Sequence, residues 1–254
     1  MRGLACRRLG AAALAGLMVL GAPASADELV RFASAGGGKI QGYLTRPKGA
    51  GPFPAVVLLH TCLGLPANRR SIDDALATWG YVALFVDDFS TRGLKETCTV
   101  DFEPALSDAY GALAFLSRLP FVDKARIGAV GFSQGADTAL KIAAAASSHP
   151  GFEAAAAFYP PCANEADARL AIPTLILVGA ADDVTPAADC ERLAARQPGS
   201  MAKLVVYPGA RHGFDNPEFG DGTRVLGMTL AYDRAAAEKS WAELRAFLAR
   251  RLAR

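Results

Sequence analysis

The run Ile127-Gly128-Ala129-Val130-Gly131-Phe132-Ser133-Gln134-Gly135 decides how the rest of the chain is read. Ile127 to Val130 is a short apolar run of the kind that forms a buried strand, and Gln134 to Ala146 reads as a helix. Between them Gly131-Phe132-Ser133-Gln134-Gly135 fits the pattern G-x-S-x-G, a strand-to-helix turn that holds its serine in a strained backbone conformation. Small residues two positions either side are needed so that strand and helix can approach. The turn presents Ser133 at the N-terminus of a helix, where the Gln134 N–H and the positive end of the helix dipole face any oxyanion formed at a carbonyl. Ser133 is therefore the candidate nucleophile.

Working outward, apolar runs rich in β-branched residues alternate with helix-like stretches, the pattern of a mostly parallel sheet covered by helices on both faces. The buried strands are expected at Ala55–Leu59, Val82–Val86, Ile127–Val130, Ala154–Tyr159, Thr174–Val178 and Lys203–Tyr207. An opening hairpin is expected from Leu29–Ala33 and Lys39–Thr45 around the glycines 36–38. Helices are expected at Ala67–Trp79, Pro104–Ser117, Gln134–Ala146, Ala187–Arg196 and Tyr232–Leu252. Asp88 to Glu103 has little periodicity and is long for a connection, so it reads as an active-site loop. Only about fourteen residues separate Tyr159 from Thr174, too few for an inserted helical lid domain.

A serine hydroxyl is hardly ionised at neutral pH and needs a base within hydrogen-bond reach. Of the three histidines, His212 lies in a loop after the last strand, which brings it to the carboxyl edge of the sheet beside Ser133. His60 ends an earlier strand and His149 sits in the turn Ser148-His149-Pro150, positions that require no catalytic role. The histidine in turn needs a carboxylate to hold its tautomer, and Gly179-Ala180-Ala181-Asp182-Asp183 supplies two candidates after the preceding strand. Asp183 has an alternative use as a cap for the helix that starts near Pro186 or Ala187. The order Ser, Asp, His is that of the α/β-hydrolase fold. A second oxyanion donor is expected from the loop after Leu59, and the Cys62 N–H is the choice there.

The chain has 254 residues, 52% of them apolar, enough for one sizeable core, so a single catalytic domain over 27–254 is expected. With a formal charge of +2 and no basic run interleaved with aromatics, nothing points to a nucleic-acid partner. Arg2, Arg7 and Arg8 followed by the apolar stretch Ala11–Ala22 and the small residues Ala24-Ser25-Ala26 read as a signal peptide over 1–26, cleaved near Ala26. The apolar stretch is short and rich in Ala and Gly for a bilayer span, so a secreted or periplasmic protein with no membrane association after processing is expected. Removing it leaves Cys62, Cys98, Cys162 and Cys190, an even number in an oxidising compartment. Four cysteines allow three pairings, and the order of elements favours Cys62 with Cys98 and Cys162 with Cys190. The other reading of these cysteines is as small buried hydrophobes. No pair has the close spacing of a zinc site, and the histidines are too scattered for H-E-x-x-H, so neither a metal nor any other cofactor is expected.

Several segments together carry a resemblance to the dienelactone hydrolase family: Leu59-His60-Thr61-Cys62-Leu63-Gly64, Phe121-Val122-Asp123-Lys124-Ala125-Arg126-Ile127-Gly128, Gly179 to Pro186, Tyr207-Pro208-Gly209, and His212-Gly213-Phe214-Asp215. The resemblance implies an α/β-hydrolase with no large lid that cleaves a small-molecule ester or lactone, and it favours Asp182 over Asp183 as the acid. Founding members have a cysteine nucleophile and a glutamate where this chain has Ser133 and Thr61, so cysteine-type activation is not implied. Arg92 matches one of two arginines that bind a substrate carboxylate in those enzymes, whereas Asn216 falls where the other would be. Arg92 and Thr61 are on this basis the candidate substrate-binding residues. Ala136 replaces a frequent glycine, and Asp137 has no explanation at the level of sequence. Two other readings stand beside esterase: a serine peptidase for short peptides, since the same constellation serves both bonds, and a non-catalytic secreted binding protein on the same fold.

Overall fold

A computed structural model describes residues 27–100, 102–149 and 151–252. The signal peptide expected over 1–26 lies outside the described residues. In chain order the elements are strands β1 (Glu28–Ala33), β2 (Lys39–Thr45) and β3 (Phe53–Leu59), helix α1 (Arg69–Thr78), strand β4 (Val82–Asp87), helix α2 (Ala105–Leu116), strand β5 (Val122–Phe132) and helix α3 (Gln134–Ala145). They continue with β6 (Ala154–Phe158), β7 (Thr174–Gly179), helix α4 (Ala187–Ala195), β8 (Ala202–Tyr207), a small hairpin of β9 (Thr223–Val225) and β10 (Met228–Leu230), and the closing helix α5 (Arg234–Leu252).

Eight strands form one sheet in the order β1-β2-β4-β3-β5-β6-β7-β8. β1 and β2 are antiparallel to each other, β2 is antiparallel to β4, and β4 to β8 are mutually parallel. Alternation along the strands sorts the core into two layers. Val56 and Leu58 of β3 with Ala83 and Phe85 of β4 meet α1 and α5 on one face. Val57 and Leu59 with Leu84 and Val86 meet α2 on the other. Both faces of the parallel strands β3 to β7 are thus largely dry, which is why these strands read as unbroken apolar runs, whereas β8 is only partly covered.

Each element expected from the sequence forms, within a few residues of its expected ends. β5 starts five residues earlier than expected, because Val122 pairs with Phe53 before a register shift carries the pairing on to Ile127 and Ala55. Two features were not foreseen. The segment between His212 and α5 folds into a short 3-10 turn, Pro217–Phe219, and the β9–β10 hairpin. Asp137, opaque in the sequence, lies 2.8 Å from Lys141 Nζ and accepts from Asn164 Nδ2 at 3.1 Å, so it ties the start of α3 to the loop after β6. Between β6 and β7 there is only one 3-10 turn, Cys162–Glu165, and no lid domain.

The cysteines pair as Cys62–Cys98 and Cys162–Cys190. The first joins the loop after β3 to the 88–103 loop, and the second joins the loop after β6 to α4.

Candidate active site

The parallel strands deliver their following loops to one edge of the sheet, so the residues after β3, β5, β6, β7 and β8 converge there. Ser133 follows β5 with φ 51° and ψ −112°, in the left-handed half of backbone space that a side chain rarely occupies. Its N–H donates to the Phe158 carbonyl at 3.0 Å, and its carbonyl accepts from Ala136 and Asp137 in the first turn of α3. The flanking glycines have a steric reason: a Cβ on Gly131 would collide with the Gly135 carbonyl, and one on Gly135 would collide with the Leu59 carbonyl. The sharp turn and the close approach of α3 to β3 therefore exist only with glycine at both positions.

The loop after β8 carries His212, whose Nε2 lies 2.9 Å from Ser133 Oγ. On its other side Nδ1 lies 2.9 Å from Asp182 Oδ2. Ser133 is half-buried, while His212 and Asp182 are buried. Asp182 is held from behind: its Oδ1 accepts from the backbone N–H of Val184 and Thr185 at 2.9 and 2.8 Å, and its Oδ2 accepts from Thr185 Oγ1 at 2.9 Å. Burial by itself would raise the Asp182 carboxyl, but the hydrogen bonds from His212 and Thr185 outweigh it and hold the group below the ordinary carboxylate value. Asp183 points elsewhere, with its Oδ2 3.4 Å from Arg211 Nη1. It does not cap α4 either, since the residue before that helix is Pro186 and no side chain caps it.

The two expected oxyanion donors flank the serine. Among the described residues neither the Gln134 N–H nor the Cys62 N–H has a hydrogen-bond acceptor in the protein. Both residues are braced from the 88–103 loop. Thr97 N–H donates to the Cys62 carbonyl and Thr97 Oγ1 to Gln134 Oε1, each at 2.9 Å, while Cys98 is bonded to Cys62. None of the described residues of that loop lines the cavity beside Ser133, which corrects its reading as an active-site loop: it braces Cys62 and Gln134 from behind.

Arg92 is likewise displaced from its expected role. Its guanidinium lies 2.8 and 3.1 Å from the two carboxylate oxygens of the fully buried Asp108 and donates to the Asp88 carbonyl at 2.6 Å. A buried aspartate without this partner would be strongly unfavourable, so Arg92 is fixed as its counter-ion and does not line the cavity. Thr61 does line it, with Oγ1 accepting from Leu63 N–H at 3.1 Å.

The cavity beside Ser133 measures about 160 Å³. Its walls come from the Thr61–Pro66 loop, from Tyr159, and from the segment after His212, where Phe219, Met228 and Leu230 supply apolar surface. Two buried side chains for which the sequence predicts no catalytic role sit in it, Tyr159 and His60. Tyr159, with φ 43°, packs its ring edgewise on His212 at 4.7 Å between centroids and donates its hydroxyl to Asp215 Oδ1 at 2.8 Å. Burial pushes the Asp215 carboxyl up to about 6 against that hydrogen bond. His60 has both ring nitrogens engaged, Nδ1 at 2.7 Å from the Thr61 carbonyl and Nε2 at 2.7 Å from Asp88 Oδ1. Burial works to lower its pKa, but the Asp88 carboxylate prevails and raises it, and the two contacts brace the ring behind the Thr61–Cys62 loop. Among the described residues no group of three His, Cys, Asp or Glu side chains could hold a metal ion. No described helix is long and apolar enough to cross a membrane.

Comparison with known proteins agrees with this architecture. The family model of the dienelactone hydrolase family matches residues 40–252. The esterase FrsA of Klebsiella pneumoniae subsp. pneumoniae is 30% identical over 120 residues, 47% of this chain and 28% of its own length. The chain therefore spans little more than a quarter of that esterase. A protein named as a probable 2-oxo-3-(5-oxofuran-2-ylidene)propanoate lactonase from a Bradyrhizobium species is 26% identical over 226 residues, 78% of this chain and 88% of that protein. The crystal structure of a dienelactone hydrolase from Anabaena variabilis superposes with a TM-score of 0.67 at 22% identity, over 89% of this chain and 99% of that one, and so shares the fold.

Proposed function

The chain belongs to the dienelactone hydrolase family, and from that premise we propose that it is a serine hydrolase that cleaves carboxylic esters or lactones through an acyl-enzyme. The observation that carries the reading is the unbroken series Ser133 Oγ, His212 Nε2, His212 Nδ1 and Asp182 Oδ2, with both contacts at 2.9 Å, at the wall of a cavity. In the proposed reaction Ser133 Oγ forms a bond to the acyl carbon as its proton passes to His212 Nε2. The tetrahedral oxyanion is held by the N–H groups of Gln134 and Cys62, whose lack of any acceptor among the described residues leaves them free for it. His212 then protonates the leaving alcohol oxygen as the carbon–oxygen bond breaks. Water repeats the sequence on the acyl-enzyme, giving its proton to His212 and releasing the acid. Each oxyanion donor contributes about 3 kcal/mol of transition-state stabilisation.

The esterase and lactonase names among the relatives support this substrate class over peptides. We take 27–254 as one catalytic domain exported after loss of 1–26, a reading that the two cystine bridges support. The experiment is labelling with a fluorophosphonate probe alongside turnover of p-nitrophenyl esters and peptide anilides. The protein should label and hydrolyse esters, and Ser133→Ala should abolish both. Labelling of Ser133→Ala at the parental level would remove the assigned nucleophile. Anilide turnover with negligible ester turnover would favour the peptidase, and a folded protein that neither labels nor turns over would favour the binding protein.

A further inference from the structure

The charges around the cavity are one-sided. Among the described residues two carboxyl groups line it, the buried Asp215 and the exposed Glu218, and no lysine or arginine does. On neighbouring elements Arg92 is paired with Asp108, Arg69 with Asp27 and Asp73, and Arg211 with Asp183, while Arg224 of β9, in no ion pair among the described residues, does not line the cavity. His60 cannot receive a carboxylate either, because both of its nitrogens face oxygens of the protein. His212 is placed between Asp182 and Ser133, so the charge it gains in the reaction is matched by Asp182. At Asp215 the Tyr159 hydroxyl occupies Oδ1, and Oδ2 has no hydrogen-bond partner among the described residues. The remaining lining is largely apolar, from Leu63, Leu65, Phe132, Phe219, Met228 and Leu230.

An anionic group entering such a site would lose hydration, find no counter-ion among the lining residues, and stand beside a like charge. An apolar group would exchange water for side-chain contacts, and a cation would find Asp215 or Glu218. We propose that the cavity selects esters and lactones whose acyl portion is uncharged or cationic and rejects those carrying a carboxylate, with Asp215 and Glu218 as the specificity-determining residues. The proposal rests on the hydrolase reading above and names its substrate class.

The test is kcat/KM, corrected for spontaneous hydrolysis, for three p-nitrophenyl esters of similar length: the butyrate, the hemisuccinate and the 4-(trimethylammonio)butyrate. The butyrate and the cationic ester should exceed the hemisuccinate by about tenfold or more, the scale set by like-charge juxtaposition in a partly desolvated site. In Asp215→Asn with Glu218→Gln the ratio of butyrate to hemisuccinate should fall several-fold, mainly through a lower KM for the hemisuccinate. Should the buried Asp215 substitution prevent folding, Glu218→Lys at the exposed rim should on its own raise hemisuccinate turnover relative to butyrate. Equal turnover of hemisuccinate and butyrate by the wild type, or a ratio that none of the charge changes moves, overturns the selectivity while leaving ester hydrolysis standing. A folded protein that cleaves none of the three overturns the hydrolase reading and this inference with it.

Discussion

Asp182→Asn should abolish most of the activity, and the hydrogen bonds behind the carboxylate dictate how. Oδ1 of Asp182 accepts from two backbone N–H groups, those of Val184 and Thr185. An asparagine placed there must keep its carbonyl oxygen toward these donors, because turning the amide over would set N–H against N–H twice. Its NH2 then occupies the position of Oδ2 and faces His212 Nδ1 across the 2.9 Å contact. A donor at that point requires Nδ1 to be the unprotonated nitrogen, so the ring proton moves to Nε2. Nε2 is the atom that must take the proton from Ser133 Oγ, and in this tautomer it cannot. The loss should approach about 10⁴-fold in kcat, or about 5 to 6 kcal/mol of barrier, with little change in stability since the shape is kept. Asp183→Asn, which alters only an exposed contact with Arg211, should stay within about twofold of wild type. Steady-state hydrolysis of p-nitrophenyl butyrate by both variants decides the matter. A nearly normal Asp182→Asn paired with a crippled Asp183→Asn would refute the assignment and the orientation argument together.

Two further expectations concern stability and the bridges. Burial raises Asp73 to about 7 and Asp215 to about 6, each from 3.8, so the folded chain keeps two protons that the unfolded chain has lost between those values. Stability from these groups is therefore greatest near pH 4 and falls as pH rises toward 7, by several kcal/mol in sum on the order of 1.4 per pKa unit. Urea unfolding at pH 4.5 and 7.5 should show Asp73→Asn losing part of that slope; a variant whose pH dependence parallels wild type would refute the cause. Closing loops with sequence separations of 36 and 28, the two disulfides should each stabilise by about 3 to 4 kcal/mol. Cys62→Ala with Cys98→Ala should in addition lower kcat, because it frees the loop carrying the N–H proposed to hold the oxyanion, whereas Cys162→Ala with Cys190→Ala should lower Tm with kcat largely kept. Non-reducing peptide mapping of the protein should find both cross-links, and four free thiols would overturn the pairing and weigh against the export proposed above.

What was legible in the sequence and what was not divides along the range of the forces involved. The buried strands announced themselves because both faces of β3 to β7 are covered, which demands apolar residues at successive positions such as Val56, Val57 and Leu58. Ser133 and its glycines were legible because the turn is a local steric problem with one solution. His212 and Asp182 could be placed because each follows a parallel strand, and topology alone brings the ends of such strands together. Arg92 was misplaced because an ion pair with Asp108, sixteen residues away, leaves no local periodic trace. Asp215 and Tyr159 escaped for the same reason at greater separation, 56 residues apart and joined by one hydrogen bond. The β9–β10 hairpin is only three residues a side and turns through Leu226 and Gly227 at positive φ, too short for alternation to register. These illegible parts, the ion pairs, the buried tyrosine–carboxyl contact and the hairpin wall, decide which charges the cavity contains. A strand pattern and an elbow motif thus locate the reacting bond, whereas the group attached to it is selected by long-range pairs that only the folded chain assembles.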